Sequence, residues 1–340
     1  MRCWRVRSSG NRARAALLAL ALGAAACVSL PERPPYPGPA FVAGDGTRLP
    51  LRAVPDGARP RAILVALHGF NDYGGFIEEA AHYFAAQGIA TLAYDQRGFG
   101  ANPGAGRWPG TAPLVDDFLG FLAQARRDHP GVPVYALGQS MGGAVIAVAL
   151  ARHPDARLEG AILVTPAVWS RDTMPWYQRF GIWLGAATMP GAGLGSSEFD
   201  IPSTDNAEAS TRFAADPLTL KKTRFDTLSG LTDLMDEAQA SVARIGVRTL
   251  FLYGLQDAMI PRPPMIALLE RWPPQAAPAF RFALYPEGHH LLLADLQREL
   301  VWRDIASWIL DPAARLPSGL ERSRARALER LRDQGTPSIR

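Results

Sequence analysis

The stretch Gly138-Gln139-Ser140-Met141-Gly142 stands between an apolar run ending at Leu137 and a helix-like segment beginning at Ala144. A serine flanked by glycines at such a junction requires a sharp strand-to-helix turn, because a side chain on either flank would collide with neighbouring backbone. The constraint reaches past the pentapeptide. A turn of this kind needs a buried strand before it and a packed helix after it, so it points to a layered α/β chain that presents Ser140 at a strand end. The five residues alone recur by chance, and their weight comes from what surrounds them.

Upstream, residues 62–67 form a continuous apolar run that fits a strand buried on both faces, and they lead into His68-Gly69-Phe70. Downstream, 249–253 reads as a buried strand running into Gly254-Leu255-Gln256-Asp257, and 280–285 as the next, followed by Pro286-Glu287-Gly288-His289-His290. With further candidate strands at 41–42, 49–54, 90–94, 134–137 and 161–164, the chain offers eight. Helix-length segments lie between most of them, at 75–87, 114–128, 141–152, 264–271 and 294–310. The alternation predicts a mostly parallel eight-stranded sheet flanked by helices, with no internal repeat. Ser140, Asp257 and the histidine pair then share one edge of the sheet. A neutral imidazole can accept a serine proton near neutral pH, and a buried carboxylate fixes its tautomer and stabilises the imidazolium. The order nucleophile, acid, base along the chain suits that edge. The backbone N–H groups of Phe70 and Met141 are the expected oxyanion donors, each contributing roughly 3 kcal/mol to an acyl-transfer intermediate.

At four stretches the chain resembles the α/β-hydrolase superfamily, and more narrowly the monoacylglycerol lipase, lysophospholipase and serine-aminopeptidase-like group. They are Leu67-His68-Gly69-Phe70, Asp95-Gln96-Arg97-Gly98-Phe99-Gly100, Gly138-Gln139-Ser140-Met141-Gly142-Gly143, and Tyr253-Gly254-Leu255-Gln256-Asp257 followed by 285–293. The resemblance spans residues 41–310 and implies the α/β-hydrolase fold. Counting from Tyr285, the family pattern puts His290 rather than His289 on the base. Two positions depart from it: Phe99 and Gln139 stand where many relatives carry histidine. The implied activity is hydrolysis of monoacylglycerol- or lysophospholipid-type carboxylic esters through an acyl-enzyme, with Ser140, Asp257 and His290 as the triad and no cofactor. An acyltransferase or peptidase on the same fold stays open, as does a catalytically silent envelope binding protein. Epoxide hydrolases and dehalogenases on this fold use a carboxylate where Ser140 stands, which disfavours both.

Other polar residues read as structural. His68 is expected to hydrogen-bond behind the oxyanion loop, His82, His129 and His153 to sit on surfaces or helix ends, and Asp95 with Arg97 to form a turn pair. The pair His289-His290 has no accompanying Cys/His cluster at metal-ligand spacing, so no metal site is expected.

One insertion breaks the alternation. Between 169 and 245 no convincing strand is found, but Trp169, Met174, Trp176, Tyr177, Phe180, Trp183 and Met189 crowd its opening, with three of the chain's eight tryptophans. Leaving the sheet after the sixth strand, this segment is expected to form a helical cap over Ser140. The hydrolase core is then split into 41–168 and 246–311. Trp169, Trp176, Phe180 and Trp183 are candidate lining residues of an apolar substrate channel; packing of the cap against the core is the alternative for any one of them.

At the amino end, five arginines precede the apolar stretch 15–26, which is too short to span a bilayer and ends at Cys27. Residues 1–26 resemble a bacterial lipoprotein signal, and Ala24-Ala25-Ala26-Cys27 resembles its lipobox, except that leucine is usual where Ala24 stands. The expectation is a lipidated Cys27 on a proline-rich tether, 27–40, holding the protein at the cell envelope, with the outer membrane or periplasmic face preferred. A conventional cleaved signal and a short uncleaved anchor are the alternatives. Without 1–26 the formal charge becomes 31 − 32 = −1, against 36 basic and 32 acidic side chains in the full chain, so the basic excess belongs to the signal and gives no support for nucleic-acid binding. Cys3 leaves with the signal, which leaves no second cysteine for a disulfide. The basic tail, 312–340, carries Leu320, Ala327, Leu328 and Leu331 as a narrow apolar stripe and reads as a solvated terminal helix, with an anionic bilayer surface as a second reading. Oligomeric state is not legible.

Overall fold

Uninterrupted apolar runs make the centre of the sheet. In a computed structural model of the chain, residues 30–54, 60–195, 201–272 and 280–333 are described. Strands β3 (Ala62–Leu67), β5 (Val134–Gln139), β6 (Gly160–Val164) and β9 (Thr249–Gly254) are buried at every residue, as strands covered on both faces must be. With β1 (Ala40–Val42), β2 (Arg48–Val54), β4 (Ile89–Tyr94), β10 (Phe280–Tyr285) and β11 (Glu321–Arg322), they form one nine-stranded sheet in the order β1-β2-β4-β3-β5-β6-β9-β10-β11. The pairs from β4 through β10 are parallel, and antiparallel partners occur at the two ends, β1 with β2, β2 with β4, and β10 with β11. The eight strands legible in the sequence are present. The ninth, β11, has two residues, too few for any periodicity, and it pairs through the register Phe282↔Arg322 and Ala283↔Glu321.

Helices cover both faces. One apolar layer joins α1 (Glu78–Ala85) and α8 (Arg298–Leu310) to the sheet through Phe84, Ile305 and Trp308. The opposite layer takes α2 (Thr111–Asp128), α3 (Met141–Arg152), α7 (Arg262–Arg271) and α9 (Arg324–Asp333). Helix α3 is apolar almost all round, and every residue from Met141 to Leu150 is buried. A helix of that composition must pack on two sides. Its second partner is the cap, the insertion between β6 and β9, which contains α4 (Trp176–Thr188), α5 (Ala207–Ala215) and α6 (Phe225–Ser241). The cap is not wholly helical: β7 (Gly193–Gly195) and β8 (Lys222–Arg224) pair antiparallel. Three-residue strands, one of them two-thirds glycine, carry no alternation signal.

The tail is not the solvated helix that its arginines suggest. Ala327 and Leu331 are 0% and 2% exposed and join the main core. Arg324 donates from Nε to the Leu269 carbonyl at 2.6 Å and from Nη2 to the Glu270 carbonyl at 2.9 Å, satisfying carbonyls that α7 leaves open at its last turn. Residues 1–29, including Cys27, and 334–340 lie outside the described residues, as do the signal and lipidation expectations that fall on them. Among the described residues no helix is long and apolar enough to cross a membrane.

Candidate active site

Ser140 links β5 to α3 at φ 51° and ψ −115°, a left-handed conformation that a non-glycine residue holds only when its surroundings force it. The forcing contacts are backbone. Ser140 N–H donates to Val164 O at 3.0 Å, and Ser140 O accepts from Ala167 N–H at 2.9 Å and Ala144 N–H at 3.1 Å. The flanking glycines are obligatory for lack of space: a Cβ on Gly138 would lie 2.4 Å from the Gly142 carbonyl carbon, and one on Gly142 would lie 2.3 Å from Leu67 O.

The parallel register brings the other groups to the same rim. Gln139 pairs with Val164, and Gly254 with Tyr285, so the segments after β5, β6, β9 and β10 converge. His290 Nε2 lies 2.9 Å from Ser140 Oγ, and His290 Nδ1 lies 2.8 Å from Asp257 Oδ2. The other Asp257 oxygen, Oδ1, accepts from the N–H groups of Met259 at 2.8 Å and Ile260 at 2.9 Å. With the carboxylate oxygen as acceptor, Nδ1–H donates to Asp257 and Nε2 is left to accept from the serine hydroxyl. Ser140, Asp257 and His290 are all buried, at 8%, 3% and 4% exposed, which raises the electrostatic worth of each contact. His289 takes no part in this line.

Sequence reasoning missed Thr165. At φ 41° it turns the chain after β6, and its Oγ1 donates to the His290 carbonyl at 2.7 Å, holding the backbone of the imidazole-bearing residue. Nothing local marks it; only the pairing of β6 beside β5 places it there.

Facing Ser140 is the loop 68–73. A Cβ on Gly69 would stand 3.4 Å from Ser140 Cβ, which sets the Phe70 segment against the serine. Met141 opens α3, so its N–H is among those with no acceptor within the helix. His68 is fully buried and uses both ring nitrogens: Nε2 accepts from Gln96 N–H at 2.9 Å, which leaves Nδ1–H to donate to Gly69 O at 2.7 Å. Burial lowers its pKa to about 4, and a second ring proton would face the Gln96 N–H. Phe99, in the family's histidine position, packs edge-on against His68 and Phe70 with centroids 5.8 and 5.5 Å away. Asn71, at φ 62°, donates from Nδ2 to Thr223 Oγ1 of the cap at 2.7 Å, and its carbonyl accepts from Leu220 N–H at 2.9 Å. Burial raises Asp72 to about 7, with Asp216 and Asp95 adding to the effect and the Tyr73 N–H bond opposing it.

Asp95 and Arg97 do not pair with each other as expected. Asp95 accepts from the N–H groups of Gly74 at 2.9 Å and Ala101 at 2.8 Å, whereas Arg97 bridges Asp117 and Asp45 at 2.8 and 2.7 Å.

The aromatic residues expected along a channel are placed differently. Trp176, Phe180 and Trp183, at i, i+4 and i+7, share one face of α4 and are 71%, 51% and 62% exposed. Helix α4 seats its other face on α6, where a Cβ on Gly185 would lie 2.4 Å from Phe225 Cδ1, and this close approach turns the aromatic stripe outward. Only Trp169 of the four packs against the core, partly buried. Trp183 borders a crevice of about 340 Å³ between α4 and α6, together with Arg171, Arg179 and Ile182, and none of the three triad-forming residues lines it.

Residues 58–297 match the family model described as serine aminopeptidase, S33. The chain is 28% identical over 257 residues to a monoacylglycerol lipase of Mycolicibacterium smegmatis, covering 74% of this chain and 89% of that protein. It is 24% identical to a human monoglyceride lipase, over 82% of this chain and 92% of the relative. Among solved structures, the monoacylglycerol lipase of Paleococcus ferrophilus superposes with a TM-score of 0.65 at 19% identity, covering 78% of this chain and 99% of that one. A soluble variant of the Saccharomyces cerevisiae monoglyceride lipase gives 0.65 at 19% identity, covering 82% and 99%. With a family match across most of its length and the sheet, elbow and cap in place, the chain belongs to the serine aminopeptidase S33 family of α/β-hydrolases, in the group that includes the monoglyceride lipases.

Proposed function

We propose that the protein is a serine hydrolase of carboxylic esters that carry a single fatty acyl chain, monoacylglycerols or lysophospholipids, acting through Ser140, His290 and Asp257. The observation that carries the reading is the continuous contact from Ser140 Oγ through both His290 nitrogens to Asp257, at 2.9 and 2.8 Å. His290 Nε2 takes the hydroxyl proton as Ser140 Oγ bonds to the ester carbonyl carbon, and Asp257 stabilises the imidazolium. The N–H groups of Phe70 and Met141 hold the oxyanion. Collapse of the intermediate breaks the ester C–O bond, and His290 returns the proton to the leaving alcohol. Water, deprotonated by His290, then attacks the acyl-enzyme; the fatty acid leaves and Ser140 regains its proton. No cofactor enters this sequence.

The acyl-lipid preference is supported by the names of the relatives and by the exposed aromatic face of α4, which suits contact with a lipid aggregate. We further propose that Cys27 is lipidated and holds the enzyme at the cell envelope, on the resemblance of 1–27 to a lipoprotein signal.

The test uses the purified chain with a fluorophosphonate probe and a series of monoacylglycerols, lysolipids and p-nitrophenyl esters of rising chain length. Wild type is expected to be labelled and to favour long acyl chains, and Ser140→Ala to lose labelling and at least about 10³-fold in kcat. Labelling that survives in Ser140→Ala rejects the nucleophile. A rate maximum at acetate rejects the lipid substrate, and acyl transfer to an added alcohol in place of fatty acid release identifies a transferase.

A further inference from the structure

His289, the histidine that the triad leaves unused, has its own partners. Its Nδ1 is buried, although the side chain as a whole is 20% exposed, and it has no hydrogen-bond partner among the described residues. The nearest carboxylate oxygen, Asp295 Oδ2, is 3.8 Å away. That separation is too long for a hydrogen bond, but it fits two donors bound to one ion at about 2.0–2.2 Å each. Asp205 completes the group: one ligand atom from each of Asp205, His289 and Asp295 lies within 4.8 Å of the others.

The carboxylates are already oriented. Asp295 is fully buried and accepts at Oδ1 from Thr204 Oγ1 at 2.6 Å and at Oδ2 from the His289 N–H at 2.7 Å. Asp205 accepts at Oδ1 from Leu296 N–H at 2.8 Å, while its side chain stays exposed and free to adjust. Outer contacts of this sort fix ligand geometry around bound metals. Each carboxylate oxygen retains a lone pair, and Nδ1 offers one in the tautomer that carries its proton on Nε2.

We propose that Asp205, His289 and Asp295 form a binding site for a divalent transition-metal ion, with zinc as the best fit. One imidazole nitrogen with two carboxylate oxygens suits zinc, whereas calcium and magnesium favour all-oxygen shells. Three protein ligands leave the fourth tetrahedral position to water. Asp205 belongs to the cap, between β7 and α5, while His289 and Asp295 belong to the segment after β10 that also carries His290. The two segments already meet through Leu291 N–H to Ser203 O at 2.8 Å and Asn206 Nδ2 to Ala294 O at 2.9 Å. The ion therefore acts as a staple between cap and core beside the triad, and it stabilises the folded chain. Sequence spacing could not disclose it, because the first ligand arrives from the insertion.

Metal-stripped full-length protein is titrated with Zn²⁺ by calorimetry at neutral pH, with Mg²⁺ in parallel, and its thermal unfolding is followed with each ion. One saturable Zn²⁺ site with a Kd tighter than about 10 µM is expected, with Mg²⁺ at least about 100-fold weaker. The unfolding midpoint rises with Zn²⁺ concentration, because the ion binds only the folded site. Asp205→Asn and His289→Gln each weaken Zn²⁺ by about tenfold or more, while His290→Ala leaves the affinity within about twofold and locates the ion on the neighbouring residue. Asp205 is exposed, so its variant keeps the test intact should His289→Gln fail to fold. Absence of saturable Zn²⁺ binding, affinity unchanged in both ligand variants, or loss confined to His290→Ala overturns the site.

Discussion

Asp72 and His68 bracket the loop that faces Ser140, and their ionisations pull in opposite directions. Folded Asp72 keeps its proton up to about pH 7, while the unfolded chain releases it near pH 4. Across that window the folded state carries the extra proton, so this residue makes stability fall as pH rises. Folded His68 stays neutral down to about pH 4, while the unfolded chain takes up its proton below about pH 6.5. There the unfolded state carries the extra proton, and stability rises with pH. The two slopes oppose each other between about pH 4 and 6.5. Asp72→Asn removes only the first. Its stability relative to wild type, measured by urea unfolding at a series of pH values, should climb between pH 4 and 7 by up to about 4 kcal/mol and then level off. A difference that stays flat across this range would contradict a protonated Asp72. Neither shift was legible in the sequence: His68-Gly69-Phe70 announced a loop at a strand end, but burial and the approach of Asp216 from the cap come only with folding.

Helix α4 shows how an aromatic-rich segment can be picked out in the sequence and still be assigned to the wrong neighbour. The aromatic content of this segment was plain from the sequence, whereas the grouping of Trp176, Phe180 and Trp183 on one face came with the helix, and the side they face depended on Gly185 meeting Phe225. Aromatic side chains at i, i+4 and i+7 on an exposed helix favour a lipid–water interface, where rings bury without losing polar contacts elsewhere. Replacing Trp176 and Trp183 together by serine should lower the rate on micellar monoacylglycerol by about tenfold, from lost apolar burial at the interface. The rate on a soluble short-chain p-nitrophenyl ester should stay within about twofold, since both side chains are largely exposed on α4. Equal losses on both substrates would mean that α4 supports the fold rather than lipid contact. The strands β7 and β8 were not legible, since three-residue strands are defined by their partner alone.

The carboxyl-terminal helix ties the far end of the chain to the main core. Leu331 is 2% exposed and belongs to that core, whereas Leu328 is only partly buried. Leu331→Ala should lower the unfolding free energy by roughly 2–5 kcal/mol and Leu328→Ala by about 1 kcal/mol or less, measured by denaturant titration. Indistinguishable losses would mean that α9 is not docked through its apolar stripe. Charge misled the sequence reading here, because the arginines of α9 dominate its composition while two buried apolar positions, Ala327 and Leu331, dock it on the core. The order of the strands' apolar runs and the glycines around Ser140 are local properties, so the sequence alone determined the hydrolase sheet and the residues that could serve at its edge, while the choice of His290 over His289 came from the family resemblance. Tertiary structure decided what depends on partners remote in the chain: Thr165 behind His290, the outward face of α4, the docked tail, and Asp205 beside His289. Periodicity records which face of an element is apolar, but the identity of the surface covering that face is set only when segments from different parts of the chain compete for it.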